Sequence, residues 1–148
     1  MNKKFIISII IVIILGIISA RSVYSLSDKI EDKYSYYFLQ LGVYDDIDTL
    51  EDDTKTIDDK VVLKENDKYC VYVGISKNKN SLNKISNLYK NYGYNLLIKN
   101  KRITNEEFII NLEQFDKLLK QTTDLEELKK IMAVILSSYQ EMVLNSII

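Results

Sequence analysis

Apolar residues alternate with aromatic and polar ones in two stretches of the chain, residues 36–44 and 69–75. In the first, an extended strand would point Leu39, Leu41 and Val43 to one side and Phe38, Gln40, Gly42 and Tyr44 to the other. In the second, Tyr69, Val71 and Val73 alternate with Cys70, Tyr72 and Gly74. Residues 60–65 alternate well enough for another strand, which Asn66-Asp67 turns tightly into the strand of Cys70. Leu82, Ile85, Leu88, Tyr89 and Tyr92 line one face of a helix over residues 81–92. Gly93 ends that helix, and residues 94–99 supply a fourth strand. Strand, helix, strand therefore occurs twice, predicting an α+β, ferredoxin-like four-stranded antiparallel sheet with helices on one face. The other face is left as a surface of aromatic rings around Gln40.

The flanks have different patterns. Lys3 and Lys4 precede an uncharged run, residues 5–20, closed by Arg21. This predicts an uncleaved, single-pass transmembrane anchor over residues 1–21, with the N-terminus in the cytoplasm and the rest of the chain extracytoplasmic. A secretory signal cleaved near Ala20 is the alternative. Val23, Leu26, Ile30 and Tyr34 are spaced as on a helix, so residues 22–35 read as a stalk. Between the first two strands, Asp48 would cap a short helix with few apolar contacts. At the far end, Thr104 with Glu107 fits a capping box, and Phe108, Leu112, Phe115 and Leu119 make a stripe. Asp124 with Glu127 starts a second helix whose apolar face runs from Leu125 to Val143. Residues 101–148 thus form a helical hairpin, appended to a domain over residues 36–100, and its stripes need a cover.

Charge changes the picture by being segregated. Residues 28–67 hold 13 acidic and 5 basic side chains, a net −8, whereas residues 68–102 hold 8 basic and none acidic. The absence of His removes imidazole catalysis and His-containing metal sites. Cys70 is the single cysteine, so no internal disulfide forms, and its place in a strand marks it as a packing residue. The acidic run from Asp45 to Asp53 lacks the turn glycine and the spaced Glu of a calcium loop. No triad, phosphate loop or dinucleotide fingerprint is present, and the acid pair Asp58-Asp59 reads as solvated, which predicts a noncatalytic protein without metal or cofactor. The net −8 of residues 28–67 also argues against nucleic acid.

Residues 37–44, Tyr-Phe-Leu-Gln-Leu-Gly-Val-Tyr, resemble the opening of the sporulation-related repeat domain, SPOR. Residues 69–75, Tyr-Cys-Val-Tyr-Val-Gly-Ile, resemble the start of its second half, and Gly93-Tyr94 the turn after its second helix. The likeness spans residues 36–99, and an anchor followed by an extracytoplasmic domain is the family's usual layout. It implies binding to peptidoglycan glycan strands stripped of peptide, at division or sporulation septa. By position it implies a glycan surface of Phe38, Gln40, Cys70 and Tyr72, where rings stack on sugar faces and an amide pairs with hydroxyl edges. The short acidic first helix, Cys70, Tyr72 and the C-terminal helices depart from the family. A second reading is therefore a protein-interaction module of a membrane-bound division or sporulation complex, contacting a septal partner through those helices.

Overall fold

In the computed structural model of this chain, residues 11–13 and 33–147 are described. Nine elements follow one another: β1 (Ile11–Ile13), β2 (Ser35–Tyr44), α1 (Ile47–Thr54), β3 (Val61–Glu65), β4 (Lys68–Ser76), α2 (Lys79–Lys90), β5 (Leu97–Arg102), α3 (Glu106–Gln121) and α4 (Leu125–Asn145). The fold is α+β, built on an antiparallel four-stranded sheet in the order β3-β4-β2-β5, with the three residues of β1 paired in parallel to Val62, Leu63 and Lys64 of β3. Apart from β1, the expected anchor lies outside the described residues, as do residues 22–32 of the expected stalk. Lys33 and Tyr34 form a turn and Ser35 opens β2. No helix among the described residues is long and apolar enough to cross a membrane.

Local chemistry sets the element ends. Asp46, not Asp48, caps α1: its carboxylate accepts from Thr49 N at 2.8 Å. Asn66 and Asp67 both take positive φ, 51° and 62°, the conformation of a two-residue hairpin turn whose twist matches the flanking strands. Asn78 caps α2, and Gly93 after it sits at φ 89°, where a side chain would be strained. Asn105, rather than Thr104, caps α3 by accepting from Phe108 N at 2.8 Å, and Asp124 caps α4 as its spacing predicts. The fourth strand lies three residues later than expected, because Tyr94 is held back by its backbone bond to Tyr89 O and its hydroxyl bond to Asp53 O.

Two irregularities in the β2–β4 ladder decide which side chains share a face. Leu39 pairs with Gly74 and Gln40 with Tyr72, so β4 carries an extra residue at Val73. Gly42 then pairs with Val71, so β2 carries an extra residue at Leu41. Strict alternation would keep Gly74 beside Tyr72 and Val43 beside Leu39. Instead Gly74 lies with Leu39, where it admits Leu82 of α2, and Val43 pairs with Cys70 beside Gln40 and Tyr72.

Helices cover both faces, which corrects the expectation of helices on one. Leu82 of α2 packs over Leu39 and Gly74, and Leu50 of α1 is buried on that side. On the opposite face, the rings of Phe38 and Tyr72 meet Tyr139 of α4, which in turn meets Phe108 of α3. Beyond Val61↔Tyr72, β3 no longer accompanies β4, and the freed N–H of Ile75 donates to Met132 Sδ of α4 at 3.3 Å. Asp116 of α3, itself buried, accepts from Ser76 Oγ at 2.5 Å and Lys77 N at 2.8 Å. These contacts make the C-terminal hairpin part of one core rather than an appendage.

A shared core predicts one cooperative unfolding transition for sheet and helix pair. Phe38→Ala would remove a ring touching both and cost about 3–5 kcal/mol. Urea denaturation followed by far-ultraviolet circular dichroism checks both points. Two separated transitions in the unmodified protein would contradict the shared core.

Candidate functional site

Phe38, Gln40, Cys70 and Tyr72, the residues expected to meet a glycan, do come together on one face of the sheet, in register across β2 and β4. They are not displayed there. Phe38 is 0 % exposed, Tyr72 1 %, Cys70 6 % and Gln40 7 %. The cause is the helix pair: Phe38 lies 5.5 Å from Tyr72 and 5.3 Å from Tyr139, ring centre to ring centre, both edge to face. Edge-to-face rings gain about 0.5–1.5 kcal/mol beyond burial, so the aromatic face is better covered than wet. A sugar ring therefore has no open aromatic platform at Phe38 and Tyr72, which corrects the stacking role expected of them.

The helix pair does not cover the whole face. A cleft of about 320 Å³ remains at the end of β2 and β4 near the β3–β4 turn. Gln40, Cys70 and Tyr72 form its floor, Val43 (49 % exposed) one margin, and Lys99 and Lys101 of β5 another. Phe38 does not line it. Glu65 faces the cleft from β3 and is ion-paired with Lys101, while the Tyr72 hydroxyl donates to Glu65 Oε1 at 3.2 Å. Lys101 Nζ also lies 4.9 Å from the centre of the Tyr72 ring. Glu65, Lys99 and Lys101 were not singled out in the sequence. Their signal was there in the alternation of Val61, Leu63 and Glu65, and of Lys99 and Lys101, about strands whose partners were unknown.

The cleft's protons are firmly held. Burial, then the Glu65 carboxylate, raises the Tyr72 phenol well above its usual range, and burial followed by Glu65 does the same to Tyr139. Burial pushes the Cys70 thiol up as well, with Glu65 adding to it, so Cys70 is a poor nucleophile near neutrality. Among the described residues no group of three or more Cys, Asp and Glu side chains is placed to hold a metal ion. The site can offer amide and hydroxyl hydrogen bonds, a rim of lysines and one apolar margin.

Comparison with protein-family models, with curated proteins and with solved structures finds no match to this chain.

Because Tyr72 and Tyr139 hold their protons more tightly in the fold than in the unfolded chain, the stability they contribute is complete below the ordinary phenol range near pH 10. It is lost as pH rises through their raised values. Ultraviolet difference titration is expected to show these two tyrosines ionising only as the protein unfolds. Complete tyrosine ionisation with native circular dichroism would be the contrary result.

Proposed function

We propose that this chain is a noncatalytic docking module of a membrane-bound division or sporulation complex, built on a SPOR-like framework whose glycan face its own C-terminal helices occupy. Support for the framework comes from the order strand, helix, two strands, helix, strand and the sheet order β3-β4-β2-β5, the arrangement of a ferredoxin-like sheet. The membrane location rests on the sequence of the apolar run over residues 5–20, of which Ile11–Ile13 form β1 beside β3. The observation that carries the reading is the ring cluster of Phe38, Tyr72, Tyr139 and Phe108. By closing the aromatic face, it leaves the outer side of the helix pair as the face open to a partner.

That surface has a feature suited to docking. A groove of about 400 Å³ runs between the start of α3 and the end of α4, lined by Glu107, Asn111, Ser138, Glu141 and Asn145, with Phe108 and Met142 at its base. Its two carboxylates and its amides suit a polar segment carrying basic side chains. A second reading, glycan recognition by the remaining cleft, is favoured by one observation: Gln40 and Tyr72 still line an opening.

Two measurements separate the readings. Full-length protein is expected not to co-sediment with peptidoglycan stripped of peptide, and enrichment on it would favour the cleft reading instead. Asn111→Lys combined with Glu141→Lys, both exposed positions, is expected to reduce septal recruitment of a fluorescent fusion several-fold with an unchanged thermal melt. Recruitment that survives both substitutions removes the docking role.

A further inference from the structure

A second recess lies on the other side of the molecule, between α2, α4 and the segment that follows α1. It holds about 240 Å³ and is lined by Asp58, Asp59, Tyr89, Tyr92, Tyr94 and Lys129. The rings of Tyr89 and Tyr94 stand edge to face at 6.5 Å, and Tyr92, 64 % exposed, forms an open wall. The Tyr94 hydroxyl bonds Asp53 O at 3.0 Å, tying the recess to the last turn of α1.

Three features give this recess a sign. Two carboxylates face one ammonium, and the ion pairs within 4.0 Å among the described residues are Asp45–Lys68 and Glu65–Lys101, so Lys129 makes direct contact with neither Asp58 nor Asp59. The C-terminal end of α2 reaches the recess and brings the negative end of a helix dipole, whereas that of α1 is already met by Lys60. The tyrosine rings add faces that attract cations. Lys60 Nζ, the nearest buried cation along the chain, is already spent on Thr54 O and Ile57 O at 3.0 and 2.7 Å. Burial, then Asp58, holds the Asp59 carboxyl above its usual range against the opposing charge of Lys129, and burial, then Asp59, pushes the Tyr89 phenol up to about 12.

We propose that this recess is a binding site for a primary alkylammonium group, whose N–H donors meet Asp58 and Asp59 while its aliphatic stem lies against Tyr89, Tyr92 and Tyr94. A primary amine fits better than a neutral sugar, which would bring no positive charge to two adjacent carboxylates that no ammonium contacts directly. It also fits better than a quaternary amine, which has no N–H to give them. The proposal is independent of the docking groove on α3 and α4, and of the cleft on the opposite face.

The test is a titration of isotopically labelled full-length protein with n-butylammonium chloride, followed by nuclear magnetic resonance. Saturable shifts confined to the neighbourhood of Tyr89, Tyr92 and Tyr94 are expected, with 1-butanol giving none and choline binding more weakly. Asp59→Asn and Asp58→Asn should each weaken binding about tenfold, the equivalent of about 1.4 kcal/mol. Lys129→Gln, which removes a competing cation, should strengthen it. Should an aspartate variant fail to fold, Tyr92→Ala at the exposed wall should still weaken binding several-fold. Equal binding of 1-butanol, absence of saturable shifts, wild-type affinity in Asp59→Asn, or weaker binding in Lys129→Gln would each overturn the assignment.

Discussion

Phe38 is where the two halves of this molecule are joined. Its ring is shared edge to face by Tyr72 within the sheet and by Tyr139 on α4, and Phe108 extends the contact to α3. Each of these rings buries most of its surface, so the cluster supplies a large part of what holds the helix pair down. The polar latch at the end of β4, where Asp116 takes the Ser76 hydroxyl and the Lys77 amide, fixes the angle at which the pair lies. An aromatic sheet face has one set of rings to spend. Spent on Tyr139, they are not available to a sugar, and covering the face and using it become alternatives.

The two extra residues in the central ladder have consequences beyond their neighbourhood. The one at Val73 turns Gly74 toward Leu39, and with no side chain there Leu82 approaches the sheet closely enough to seat α2. The one at Leu41 swings Val43 across to the side of Gln40 and Cys70, and sends Tyr44 to the side of α1 and Tyr94. The exposed margin of the cleft is thus a product of backbone irregularity. In its floor, Cys70 and Tyr72 share a face by alternation, and the extra residue at Val73 sets Gln40 opposite Tyr72.

Much of the architecture was legible because it rests on local pattern. The strands around Leu39 and Val71, the turn at Asn66-Asp67, the stop at Gly93 and the cap at Asp124 follow from alternation, positive φ and side-chain acceptors close in sequence. The same logic failed by small steps where two candidate caps stood together, as with Asp46 and Asp48, or Thr104 and Asn105. The face assignment beyond Leu41 was not legible, since a bulge depends on the partner strand. Nor was the fate of the aromatic face. The stripe from Leu128 to Val143 shows that something must be covered, but whether it covers itself or the sheet depends on contacts between residues about 100 positions apart, such as Phe38 and Tyr139. The recess at Asp59 was hidden for the same reason: Asp58 and Asp59 stay exposed, as a solvated pair would, and only the fold sets Tyr89 of α2 and Lys129 of α4 beside them.

Charge segregation along the chain becomes spatial once the sheet forms. Asp58 and Asp59, before β3, lie with the C-terminal end of α2 at the tyrosine recess. Lysines of β4 and β5 rim the cleft. Between them stands a buried apolar core, and each field acts over roughly the 8 Å that physiological salt permits. Over that distance a partner senses only the side it approaches. A cationic group is drawn to the recess and repelled from the cleft, and an anionic one the reverse. A domain with nearly balanced overall charge can in this way impose an orientation on what binds it, with the buried aromatic cluster keeping the two surfaces at a fixed separation.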